Sequence, residues 1–397
     1  MFSKRTNWQR QSNRLSELLG KLRESGKPVY DLTNSNPTDC GINYPQQEIL
    51  RALSNPESLR YHPEPHGLIS ARKAVSEYYH QKSVVVDASD IFLTASTSEA
   101  YSLIFKLLCN ADESILVPNP SYPLFDYLAQ VNDVVIQQYL LHYDHGWYID
   151  VDSIKRGITS TTKAIVLVNP HNPTGMFLKK SEYNAIQELA LQKNLALIVD
   201  EVFADYAYQD DPDRIISTAG NSKVLTFTMN GISKMIGLPQ MKLGWVVVSG
   251  EETVRRETIE RFEILCDTFL SVNTPVQVAL PELLRIGVAI QGKILERVRN
   301  NYALLRREIG QNTFCSLLES EGSWYGIIRM PRTRSDEEWA LHLLETTGVY
   351  LFPCYFFDFS DDAHLVVSLL VEEKSFHNAI KLFTEVMISS ATHLKNE

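Results

Sequence analysis

Ala164-Ile-Val-Leu-Val168-Asn-Pro-His-Asn172-Pro-Thr-Gly175 and Ala196-Leu-Ile-Val199-Asp200-Glu201-Val-Phe203 are two apolar runs, each ending in polar residues. Uninterrupted runs of this kind mark strands buried on both faces. The stretch between them, 180–193, reads as a helix. Strand, helix and strand in that order predict a parallel pair covered by the helix. The same texture extends in both directions, with strands expected at 91–95, 114–117, 134–140, 224–227 and 243–248 and a helix over 98–108. The expectation is an α/β fold whose large domain holds a mostly parallel seven-stranded sheet. Ligands of such sheets sit at the carboxyl ends of the strands, so the residues that follow each strand are the first to inspect.

Beyond about residue 280 the pattern changes. Ile290, Ile294, Val298, Tyr302, Leu305 and Ile309 recur at helical spacing, as do Phe376, Ala379, Ile380, Phe383 and Met387. Strands are expected between them at 325–330, 349–352 and 365–370. This predicts a smaller α+β domain over 281–397, which the N-terminal segment 1–50 joins, with 51–280 forming the large domain. The 38 basic and 48 acidic residues leave a net charge of −10, which argues against a non-specific nucleic-acid binder. No apolar stretch is long enough to predict a membrane span. The opening Met1-Phe-Ser-Lys-Arg-Thr-Asn-Trp-Gln-Arg10 lacks the apolar run of a secretory signal. The five cysteines are widely spaced and predict reduced thiols in a cytoplasmic protein.

Each chemical candidate has an ordinary reading when taken alone. Asn169-Pro-His-Asn172-Pro-Thr-Gly175 is a turn, with a cis proline expected at Asn172-Pro173. Asp200-Glu201 are carboxylates that could be solvated or cap a helix. Ser96-x-x-Glu99 is a capping box. Lys234, in Ser233-Lys234-Met-Ile-Gly237-Leu-Pro-Gln-Met-Lys242-Leu-Gly244, could be a surface lysine.

Taken in order, these segments resemble the fold-type I, pyridoxal-phosphate-dependent aminotransferases of class I/II, the aspartate aminotransferase superfamily. Pro118-Asn-Pro-Ser-Tyr122-Pro, Ser96-Thr-Ser-Glu-Ala100 and Tyr61-His-Pro-Glu-Pro-His-Gly67 add to the resemblance, which spans essentially the whole chain. It implies that Lys234 forms the Schiff base with pyridoxal 5'-phosphate and moves the proton during catalysis. It further implies that Asp200 pairs with the pyridine nitrogen, that Asn172 donates to the phenolic oxygen and that Tyr122 stacks on the ring. Ser96, Thr97 and Ser98 would meet the phosphate at a helix N-terminus, helped by Ser233 and Lys242. Tyr61 would reach that phosphate from the second subunit of a homodimer with shared active sites; the competing reading is a core tyrosine. The partners implied are an amino donor and a 2-oxo acid acceptor, with no nucleic acid or membrane.

The departures bear on the substrate. Phe203 stands where the family has a tyrosine that donates to the phenolic oxygen. Gly231 replaces a serine, Lys242 an arginine and Cys354 a glycine. Val366 falls where the family's arginine clamps the substrate carboxylate. Three substitutes are expected to compete: a cation among Arg329, Arg332 and Arg334, the favoured one; backbone N–H groups around Asn34 and Ser35 with the Asn172 amide; or a donor without an α-carboxylate. Two alternatives to transamination are a β-eliminating C–S lyase on the same fold and a non-catalytic regulator.

Overall fold

The computed structural model describes residues 1–8, 13–311, 314–361 and 363–394. The remainder of the expected 1–50 and 281–397 ranges lies outside the described residues. Eight strands form the large sheet. Their order across it is Ile91–Thr94, Gly244–Ser249, Thr226–Gly231, Ala196–Asp200, Thr162–Val168, Ser114–Asn119, Val135–Tyr143 and Trp147–Ile149. Five neighbouring strands, from Thr226–Gly231 to Val135–Tyr143, run parallel. The strands beyond them on either side pair antiparallel.

All seven expected strands are present, and Trp147–Ile149 adds an eighth that is too short to show a period. The strand expected at 224–227 instead runs over Thr226–Gly231. Its later polar residues are buried because each finds a partner: Thr228 Oγ1 meets Thr218 Oγ1 at 2.7 Å, and Asn230 Nδ2 donates to Tyr78 Oη at 3.2 Å. One sheet face packs Phe92, Val117, Val166, Ile198, Phe227 and Val246 under the helices Thr97–Leu108 and Glu252–Phe269. The other packs Leu116, Ile165, Leu167 and Leu197 under Lys180–Lys193. Covering both faces explains the unbroken apolar runs.

A smaller antiparallel sheet has the order Ser316–Leu317, Tyr325–Arg329, His364–Ser368 and Phe352–Pro353. The helix Thr274–Gly310 begins well before the expected period at Ile290, because Val276, Leu280, Leu283 and Ile286 extend the same buried stripe. Gly287 lets this helix press on the loop that follows Met235: a Cβ there would lie 2.5 Å from Ile236 Cγ2. The helix Arg14–Glu24 packs on Asp336–Thr347, and Tyr30–Asp31 pairs parallel with Val349–Tyr350.

Gly231 closes the strand that delivers Lys234. A Cβ at this position would lie 2.9 Å from Gly244 Cα and 3.0 Å from the Leu243 carbonyl oxygen, both backbone atoms. A serine cannot enter without parting the two strands. Gly231→Ala should therefore lower stability by about 1–3 kcal/mol, read from the denaturant midpoint. An unchanged midpoint would show that the strands part freely.

Candidate active site

The site gathers where three adjacent parallel strands end. Thr162–Val168 leads into the Asn169–Gly175 turn, Ala196–Asp200 ends in the carboxylate and Thr226–Gly231 leads into the short helix Ile232–Met235 that carries Lys234. Asp200 is 9% exposed. Both of its oxygens are engaged: Val202 N–H donates to Oδ1 at 3.1 Å and Tyr101 Oη donates to Oδ2 at 3.3 Å. Burial outweighs these bonds and the Lys234 charge, and pushes the carboxyl up to about 6. Burial lowers the Lys234 ammonium, while Asp200 opposes part of that fall. Lys234 Nζ lies 5.3 Å from the centre of the Trp324 ring.

The loop around Lys234 is fixed through its carbonyls. Tyr206 Oη donates to the carbonyls of Lys234 at 2.8 Å and Met235 at 3.0 Å. Gln291 Nε2 donates to Met235 O at 3.0 Å, and Tyr44 Oη to Gly237 O at 2.6 Å. Phe203 is buried edge-on to Trp324, with ring centres 5.2 Å apart. The nearby hydroxyls do not replace its missing donor, because Tyr206 is bound as above and Tyr208 Oη donates to Ser323 O.

Asn172 follows His171 in the turn, where the Asn169-Pro170 and Asn172-Pro173 bonds are both cis, the second as expected. Its Oδ1 is buried without a hydrogen-bond partner. Tyr122 is partly exposed, and its hydroxyl is raised by partial burial and then by the Asp200 charge. Ser96 caps the helix Thr97–Leu108 by accepting from Glu99 N–H at 3.1 Å, and Glu99 Oε2 reaches back to Ala95 N–H at 2.6 Å. Thr97 and Ser98 begin that helix. A Cβ at Gly244 would lie 3.4 Å from the Ser96 carbonyl carbon, so the segment holding Lys242 packs against the cap. Lys242 itself is exposed with a left-handed φ of 52°. Ser233 precedes Lys234 on its short helix. Tyr61 is 81% exposed and so is not a core residue.

On the small sheet, Tyr325, Ile327 and Arg329 face one side together with their partners Ser368, Val366 and His364. Tyr325 Oη donates to Ser35 Oγ at 3.0 Å. Val366 is fully buried. The three candidate arginines are engaged away from this contact. Arg329 lies over the Tyr143 ring and donates to His364 Nε2, Arg332 pairs with Asp361 at 3.7 Å and Arg334 lies over Trp339. Sequence reasoning missed Tyr101, Tyr44 and Gln291. For Tyr101 a signal existed, since it falls one helical turn after Ser98.

A family model described as aminotransferase class I and II matches residues 27–381. The chain belongs to the class I and II aminotransferases. It is 28% identical over 371 residues to the glutamate-pyruvate aminotransferase AlaA of Haemophilus influenzae, covering 91% of both chains. It is 26% identical to the alanine aminotransferase of Mycobacterium tuberculosis, covering 89% of this chain and 78% of that one. The solved alanine aminotransferase of Pyrococcus furiosus superposes with a TM-score of 0.89 at 24% identity, covering 98% of this chain and all of the other. The chain is thus a fold-type I aminotransferase of amino acids and 2-oxo acids, and the family's cofactor is pyridoxal phosphate. The residues present fit that group: a buried carboxylate, a half-buried amine and a hydroxyl-rich helix N-terminus. Among the described residues no helix is long and apolar enough to cross a membrane, and no cluster of His, Cys, Asp and Glu could hold a metal.

The raised Asp200 carboxyl has a measurable consequence in the aminotransferase stripped of its cofactor. The folded value, about 6, lies above the usual 3.8. Protonated Asp200 therefore favours folding below about pH 4, and that contribution is lost as pH rises through about 6. Asp200→Asn should stabilise the cofactor-free chain at neutral pH, by at most about 3 kcal/mol, with the gap closing toward pH 4. Chemical denaturation at several pH values checks this. A less stable variant at neutral pH would contradict it.

Proposed function

We propose that Lys234 carries the covalent link to the cofactor aldehyde and acts as the catalytic base, with Asp200 and Asn172 completing the catalytic set. Ser96, Thr97, Ser98, Ser233 and Lys242 hold the phosphate, Tyr122 covers one ring face and Phe203 packs near the phenolic side. The observation that carries this reading is the convergence of a buried carboxylate and a half-buried amine at the ends of neighbouring strands, Asp200 standing in register with Met229. When bound, pyridoxal phosphate supplies an electron sink for the charge that develops at the substrate Cα. Asp200 holds a proton on the pyridine nitrogen and so keeps that sink electron-poor. Lys234 Nζ, whose ammonium is weakened by burial, takes the proton from the substrate Cα and delivers it again. Trp324, Phe203 and Tyr325 form an aromatic wall that excludes water from the transfer.

Several further assignments belong to the same proposal. The exposed Tyr61 reaches the phosphate site of a second copy in a homodimer. Residues 1–50 form one domain with 281–397 against the large domain 51–280, supported by the contact between Arg14–Glu24 and Asp336–Thr347. The protein works in the cytoplasm, a reading supported by five cysteines that lie far apart in the sequence.

For the substrate carboxylate, the engaged arginines favour uncharged donors over a replacement cation. Ser35, oriented by Tyr325, and the Asn172 amide receive it. Ser35→Ala should raise KM for the best amino acid roughly 5-fold, the value of one hydrogen bond near 1 kcal/mol, and Arg329→Ala should leave it unchanged. The reverse pattern would restore the cation. The reaction class is tested by mixing the holoprotein with single amino donors and following the visible absorbance. Transamination predicts a change that a 2-oxo acid reverses. Release of ammonia and pyruvate would instead indicate elimination.

A further inference from the structure

Tyr101 is a buried tyrosine, 4% exposed, on the helix Thr97–Leu108. Its ring is gripped edge-on by Phe125, with centres 5.2 Å apart at 88°, and lies 5.9 Å from Phe105. The hydroxyl donates to Asp200 Oδ2 at 3.3 Å. The other oxygen, Oδ1, is taken by Val202 N–H. The same helix presents Ser96, Thr97 and Ser98 at its N-terminus. Tyr101 follows Ser98 by three residues, one turn of helix, or about 4.5 Å of rise.

We propose that Tyr101 is a positioning residue that ties the Asp200 carboxylate to the phosphate-binding helix, so that a single rigid element sets both ends of the cofactor. This rests on the reading of Asp200 as the partner of the pyridine nitrogen. A carboxylate buried in an apolar wall favours its neutral form. A hydroxyl donor at fixed distance favours the charged form and fixes the plane of the carboxylate. Asp200 feels Lys234 from the short helix after its neighbouring strand, Tyr101 from the covering helix and Tyr122 from the turn after Ser114–Asn119. Among these only Tyr101 donates a side-chain hydrogen bond to it. Tyr101→Phe keeps the ring and its packing and removes that donor alone.

The test measures the dissociation constant of pyridoxal phosphate, by equilibrium dialysis of the holoprotein, from about pH 5.5 to 8.5. In Tyr101→Phe the acid limb of the binding profile should move up by roughly half to one pH unit, so that binding near pH 6.5 weakens about 1.5- to 3-fold. In an Asp200→Asn background, Tyr101→Phe should change neither. A limb that stays in place, or an effect of equal size without Asp200, would overturn the proposal by showing that the hydroxyl serves only packing. If the unaltered chain shows no acid limb that Asp200→Asn removes, the role of Asp200 itself falls, which is a distinct outcome.

Discussion

A carboxylate and an amine must be carried into an apolar wall at the ends of two neighbouring parallel strands, and kept there without neutralising each other through direct contact. Burying either group costs free energy. Asp200 shows that cost in its raised pKa and Lys234 in its lowered one. The surrounding structure answers by fixing what it can. Both Asp200 oxygens accept hydrogen bonds, and the carbonyls of Lys234, Met235 and Gly237 are each capped by a side chain from another element. Close backbone approaches at Gly231, Gly244 and Gly287 hold the strands and the long helix against this loop. Such an arrangement is stabler without its charges than with them, which is the usual relation between a binding site and its scaffold.

The substrate side is built differently. Phe203, Trp324, Tyr206 and Tyr325 form edge-on aromatic contacts, and the Trp324 ring centre lies 5.3 Å from the amine. Tyr325 donates there to Ser35 Oγ. Val366 occupies a fully buried place on the small sheet between Ile327 and Phe352, where a guanidinium would displace apolar packing. The nearby arginines are drawn off to Tyr143, Asp361 and Trp339.

Much of the fold was legible because the sheet is covered on both faces, which writes strands as continuous apolar runs. Elements that depend on partners were less legible. Trp147–Ile149 is too short to have a period, and Thr226–Gly231 keeps Thr228 and Asn230 only because Thr218 and Tyr78 satisfy them. The start of Thr274–Gly310 holds Pro275 and Pro281, residues that ordinarily oppose a helix interior, so its helical character is less legible than that of the stripe from Ile290. At the site, Lys234, Asp200 and Asn172 stood out through the order of their motifs. Tyr101 did not, since its role depends on a contact 99 positions away in sequence. The engagement of Arg329, Arg332 and Arg334 was likewise invisible, because sequence proximity does not say which way a long side chain turns.

The central claim is that Lys234, and not the exposed Lys242 eight residues later, carries the cofactor. Borohydride reduction of the holoprotein, followed by peptide mapping, tests it most directly. The account predicts a single pyridoxyl label on Lys234. A label on Lys242, or none on either lysine, would contradict it.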